Sequence, residues 1–239
     1  MTNLRLKRAT LYITLGLFLT LGNRPSTAQT PYSSGIFQDL EVMEISLVDI
    51  KAVDAPALHT ANGKTAVGAE ERYGQGIIID PSGIIATSKH IIRDARHIYV
   101  MLSGGKIYDA TVLRQSQADL CLIKINAPLP LRAISLADSS DIRIGINVIA
   151  IANAGFNPQR KLDGQIIKVF KQMPSNNVEL LEMNIPLKPG DSGGAILNEQ
   201  GSLLGLIMGK QISDPSKSYA IASSRIQQEY FQYRNSILN

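Results

Sequence analysis

Tryptophan is absent from the 239 residues, and Phe and Tyr bring the aromatic share to only 5%. A core built by this chain therefore rests on Ile, Leu and Val. Cysteine is nearly absent too: Cys121 stands alone, which excludes any intramolecular disulfide. A chain of this length can bury enough apolar surface without one. A basic surplus is also missing once the amino terminus is set aside. Arg5, Lys7 and Arg8 precede an uncharged stretch from Ala9 to Gly22, and Ser26-Thr27-Ala28 follow. Positive, apolar and small-residue segments in that order describe a secretory signal. The apolar stretch is shorter than the ~20 residues a spanning helix needs, so residues 1–28 are read as a cleaved signal peptide. Removing Arg5, Lys7, Arg8 and Arg24 leaves Lys and Arg equal in number to Asp and Glu. A neutral mature chain gives no reason to expect nucleic acid as a partner, or stable membrane insertion after cleavage. The expected location is secreted or periplasmic.

What is present is a succession of short β-branched runs separated by turns. Residues 29–39 read as an N-terminal tail, Leu40 to Val53 as a first strand, and Asp54 to Arg72 as a polar surface loop. Ile77-Ile78-Ile79 and Ile84-Ile85-Ala86-Thr87 flank Asp80-Pro81-Ser82-Gly83, a hairpin with Pro and Gly at the turn positions that favour them. Further strands are expected at His97 to Leu102, Tyr108 to Leu113 and Leu120 to Ile125. The second half continues with strands at Asn147 to Ile151, Gly164 to Lys171, Val178 to Asn184, Gly194 to Asn198, Ser202 to Met208 and Ser218 to Ala222. A closing helix follows Ser223-Ser224. Short strands at even spacing with almost no helix predict an all-β barrel or sandwich.

The chemistry concentrates in Lys188-Pro189-Gly190-Asp191-Ser192-Gly193-Gly194. Glycines let the backbone approach a ligand closely and converge its N–H groups on one point, where negative charge can be stabilised. Ser192 in that frame is a candidate nucleophile, provided a base can take its proton. Of the three histidines, His59 lies in the polar loop and His97 opens a strand, whereas His90 directly follows the Gly76–Thr87 hairpin. The remaining need is a carboxylate that holds the imidazole tautomer. Asp119 heads the apolar run Leu120 to Ile125, where burying a charge is costly unless it is hydrogen-bonded.

Thr87-Ser88-Lys89-His90, Ala118-Asp119-Leu120-Cys121-Leu122-Ile123 and Gly190-Asp191-Ser192-Gly193-Gly194 stand in the order His, Asp, Ser. In this order the chain resembles the trypsin-like serine proteases. With Gly-x-Gly-Ile-Ile-Ile-Asp-x-x-Gly before the histidine and no cysteine pairs, it is most similar to the HtrA/Deg branch, over roughly residues 40–225. The resemblance implies two six-stranded antiparallel β-barrels, the first about 40–130 and the second about 131–223, followed by a short helix at 224–237. It implies catalysis by His90, Asp119 and Ser192, an oxyanion hole from the N–H groups of Gly190 and Ser192, and no metal or cofactor. Leu187, Met208, Gly209, Lys210 and Tyr219 fall where this family builds its primary specificity pocket. None is acidic, so a small or medium apolar P1 side chain is expected. The strand near Met208 would pair with substrate backbone. Polypeptides, unfolded proteins among them, are the implied substrates; quality control is the implied role, and an oligomer is compatible with it.

The pattern also departs from the family. Asp191 stands where HtrA-like enzymes carry Asn, and no PDZ domain is expected after the barrels. Trypsin-type enzymes pair such an Asp with a newly freed N-terminus, but no Ile-Val-Gly-Gly-like segment occurs here. Asp191 is therefore expected to accept hydrogen bonds from N–H groups of its own loop. The competing reading is a protease-shaped binding or chaperone module with little or no turnover.

Overall fold

The structure, a computed structural model, describes residues 46–61, 64–128, 130–153, 159–172, 177–210 and 213–238. The expected signal peptide, the expected tail and the beginning of the expected first strand lie outside the described residues. Six strands close the first barrel in the order β1 (Leu47–Asp54), β4 (Glu71–Asp80), β5 (Ile84–Ser88), β8 (Leu120–Ile125), β7 (Ile107–Gln115) and β6 (Ala95–Met101). The second barrel closes as β10 (Arg160–Gln172), β11 (Asn177–Met183), β14 (Ser218–Ala222), β13 (Leu203–Lys210), β12 (Ala195–Leu197) and β9 (Asn147–Ala152). All pairings within both barrels are antiparallel. Two six-stranded antiparallel barrels are thus observed, as expected.

The continuous apolar runs have a direct physical cause. A strand with one wet face alternates polar and apolar residues, whereas a strand covered on both faces cannot. Ile78 points into the first barrel's core, while Ile77 and Ile79 join the layer between the barrels. Cys121 and Ile123 likewise pack inside, and Leu120 and Leu122 pack between. The second barrel mirrors this: Ile196 faces its own core, whereas Ala195 and Leu197 enter the shared layer. The runs that read as catalytic neighbours are therefore the strands forming the inter-barrel seam. Burial pushes the Cys121 thiol up to about 12, so it serves as a small core side chain and not as a nucleophile.

Two local expectations change. Asp54 to Arg72 is not a plain loop: β2 (Ala57–Ala61) and β3 (Lys64–Gly68) pair antiparallel. Only Asn62-Gly63 separates them, the strongest short hairpin signal. After β5 the chain turns into a one-turn helix, α1 (Lys89–Ile92), which buries Ile91 and Ile92 and leaves His90 outward.

The C-terminal helix α2 (Ser223–Leu238) clasps both barrels. Buried Glu229 accepts from Arg114 Nε of β7 at 2.5 Å and from Arg225 at 2.7 Å, and Arg225 also reaches Glu179 of β11 at 3.0 Å. Burial on its own would raise the Glu229 carboxyl, but Arg114 and the other partners hold it below the usual glutamate range. A depressed folded-state pKa contributes stability above the unfolded value, lost as pH falls through the folded one. Wild-type protein is therefore expected to lose stability on acidification below about pH 4.5. Glu229→Gln should cost about 1–3 kcal/mol at pH 7 and flatten that acid limb, as read by urea unfolding across pH.

Candidate active site

Three segments deliver their side chains to one end of the seam. β5 ends at Ser88, whose hydroxyl donates across the barrels to Ile207 O at 3.1 Å, and α1 then presents His90. Asp119 precedes β8, whose Cys121 pairs with Thr87. The Asp119 carbonyl accepts from Lys89 N at 3.1 Å, fixing the two segments side by side. Asp119 uses both carboxylate oxygens on one residue: Oδ1 accepts from His90 N at 2.8 Å, and Oδ2 lies 2.6 Å from His90 Nδ1. An ionised carboxylate only accepts, so Nδ1 carries the proton and Nε2 presents a lone pair.

Ser192 comes from the loop before β12. Asp191 N donates to Lys188 O and Gly194 N to Asp191 O, closing two consecutive turns. Gly193 N donates to Ile207 O at 2.7 Å, and Gln75 N donates to Ser192 O at 2.9 Å. The second contact requires glycine next door. Gly193 has φ +84°, and a Cβ there would sit 1.8 Å from Gln75 O. Gly190 also lies in the left-handed region, at φ +94°. Among the described residues, neither Gly190 N nor Ser192 N finds an acceptor, so the two donors that flank Asp191 remain unspent. The Ser192 hydroxyl donates to Met208 O at 3.1 Å, and among the described residues it makes no hydrogen bond to His90.

Asp191 departs in part from the expectation. It is fully buried, and one loop N–H, that of Lys188, does donate to it, at 2.6 Å. Its principal partner is a guanidinium: Arg160 Nη2 lies 2.6 and 2.5 Å from its two oxygens. Arg160 opens β10, far from any motif in the sequence.

The five residues expected at the specificity pocket are placed unevenly. Leu187 is buried in the second barrel's core. Met208, Gly209 and Lys210 form the end of β13 beyond the reach of β12, whose pairing stops at Leu206. On the other side Gly209 and Lys210 pair with Tyr219 and Ser218. One edge of this three-residue segment is therefore unpaired by any named strand. Tyr219 packs against Phe170 at 6.4 Å between ring centroids. Among the described residues no cluster of three or more metal-ligating side chains occurs.

Residues 74–206 match the model of the trypsin-like peptidase domain. The periplasmic serine endoprotease DegP of Salmonella typhimurium is 35% identical over 147 residues, 58% of this chain and 31% of the relative. The serine endoprotease DegS of Escherichia coli is 34% identical over 137 residues, 56% of this chain and 38% of the relative. The mitochondrial serine protease HTRA2 of Bos taurus is 26% identical over 215 residues, 87% of this chain and 45% of the relative. The chain thus spans less than half the length of these relatives. Among solved structures, an HtrA-type protease with a decapeptide superimposes with a TM-score of 0.71 at 19% identity, covering 82% of this chain and 65% of that one. The serine endoprotease from Yersinia pestis gives 0.65 at 24% identity, covering 86% and 68%.

Proposed function

The chain belongs to the trypsin-like peptidase domain family, and on that footing we propose that it is an exported serine endopeptidase acting on polypeptides. The observation that carries this is the two-oxygen grip of Asp119 on His90, which leaves Nε2 ready to take a proton. In this reading Ser192 attacks the scissile carbonyl and His90 accepts its proton. Asp119 holds the tautomer and stabilises the imidazolium. The unspent N–H groups of Gly190 and Ser192 receive the oxyanion, where each donor is worth about 10²–10³ in rate. His90 then returns the proton to the leaving amine, and water releases the acyl group by the same steps. The periplasmic location named for DegP and the signal-like amino terminus both favour a periplasmic site of action, and quality control of unfolded chains suits it.

The contact of Ser192 with Met208 O refines the mechanism. An extended substrate laid along the free edge of Met208–Lys210 offers backbone N–H groups to that edge. One of them competes for the Met208 carbonyl, and the displaced hydroxyl turns to His90. A peptidyl phosphonate bearing backbone amides should therefore label Ser192 at least about tenfold faster than a small fluorophosphonate, beyond its gain in binding. Labelling should vanish in Ser192→Ala. Folded protein that neither reagent labels, with or without an added unfolded polypeptide, would instead support the binding or chaperone module, a reading that the absent Ser192–His90 hydrogen bond favours.

A further inference from the structure

Packing alone does not hold the His90–Asp119 pair. The two side chains keep 46% and 24% of their surface in solvent. Asp119 also lies one residue beyond the β5–β8 ladder, whose last pair is Ser88 with Leu120. Lys89 N fixes its carbonyl, and the rest of its placement falls to the short loop arriving from β7. That loop closes on itself. Ser116 N donates to Leu120 O at 3.0 Å, Leu120 N to Ala118 O at 2.7 Å, and Ala118 N to Ser116 Oγ at 3.1 Å. The first two bonds join backbone to backbone. The third, next to Asp119 itself, is only as firm as the rotamer of Ser116.

A side chain from 109 residues further along fixes that rotamer. Arg225, in the first turn of α2, donates from Nη2 to Ser116 Oγ at 3.0 Å. The same nitrogen donates to Glu229 Oε1 at 2.7 Å, so both of its hydrogens are engaged. Nη1 reaches Glu179 Oε1 at 3.0 Å, and the guanidinium is pinned from three sides. The Ser116 hydroxyl is saturated in turn. It accepts from Ala118 and Arg225, and its own proton serves Glu229. Ser116 is 6% exposed and the Arg225 side chain 13%, so little water reaches the contact to replace either partner. Lys89 Nζ adds a tie from the residue before His90, to Ser116 O at 3.4 Å.

We propose that Arg225 is a positioning residue for the catalytic pair, acting through Ser116 on the loop that carries Asp119. The proposal rests on the peptidase reading, in which Asp119 orients His90. A helix that follows the second barrel thereby sets the geometry of two residues of the first. Arg225→Met keeps the length of the side chain and removes its donors. Ser116→Ala removes the acceptor and leaves Arg225 paired with Glu229, so it decides alone should Arg225→Met not fold. Each should lower kcat on a peptide ester about ten- to a hundredfold, as a small misplacement of a reacting group does, with KM nearly unchanged. The double variant should lose no more than the larger single loss, because both substitutions cut one link. Tyr230→Phe is the control. It removes a hydroxyl that donates to Asp80, loosens α2 without touching Ser116, and should keep the wild-type kcat. A second readout needs no turnover: the His90 Nδ1 proton, hydrogen-bonded to Asp119, gives a downfield NMR resonance. It should broaden in Ser116→Ala and persist in Tyr230→Phe. Losses below about threefold, multiplicative losses in the double variant, or an equal loss in Tyr230→Phe overturn the proposal. An unchanged resonance in Ser116→Ala does the same. If the wild-type protein shows the resonance but hydrolyses no ester, the peptidase reading fails, and the resonance still decides whether Arg225 positions the pair.

Discussion

Asp119→Asn is expected to lower kcat by about four orders of magnitude while the thermal midpoint stays nearly unchanged. The reason lies in the double contact with His90. Asparagine offers one acceptor and one donor where the carboxylate offers two acceptors. Its oxygen can keep the His90 backbone N–H, but its amide NH₂ then faces Nδ1. The ring responds by moving its proton to Nε2, and the atom that must accept from Ser192 becomes a donor. Substrate binding does not depend on this exchange, so KM should move little. Single-turnover hydrolysis of a peptide ester at pH 7 checks the result. A loss smaller than about tenfold would mean that His90 does not work as the base.

The second large effect is expected at Arg160. Truncation to alanine leaves the buried Asp191 carboxylate with only the Lys188 N–H, and uncovering a buried charge of this kind costs about 3–5 kcal/mol. The lower end applies here, because the Arg160 side chain keeps 27% of its surface in solvent. Arg160→Ala should therefore unfold at lower urea and label at Ser192 far more slowly, since Asp191 sits between the two residues whose N–H groups are meant to receive the oxyanion. Arg160→Ala combined with Asp191→Asn should regain much of the stability, because no charge is then left behind. If the double variant is no more stable than Arg160→Ala alone, the pair contributes nothing specific.

Much of the architecture was legible in the sequence because burial on two faces writes itself into the chain. Ile77-Ile78-Ile79, Ile84-Ile85-Ala86-Thr87 and Leu120-Cys121-Leu122-Ile123 read as strands, and the second and third place His90 and Asp119 at their ends. The glycine frame singled out Ser192 directly, and the order His, Asp, Ser tied the three residues together. Arg160 was invisible for the opposite reason. Its partner lies 31 residues away on another element, and nothing in Gln159-Arg160-Lys161 distinguishes it from any exposed basic pair. Gln75 was equally silent, because a glutamine between two glycines carries no signal until the fold places its backbone N–H beneath Ser192 O. Leu187, placed at the specificity pocket by the resemblance, packs its side chain in the second barrel's core.

The unpaired end of β13 has one more implication, concerning what the protein must refuse. A strand edge open to any extended chain is open also to the same edge of a second copy, and such self-pairing is how exposed edges seed aggregation. Two copies meeting antiparallel about a two-fold axis near Gly209 would bring their Lys210 side chains into the same small interface. Lys210 is exposed at the tip of the strand, and the repulsion between the two ammonium groups falls only on that symmetric arrangement. A foreign peptide without a lysine in that register meets no such barrier. On the proposal that substrates add to this edge, Lys210 would tilt it toward a foreign peptide and away from a second copy of itself.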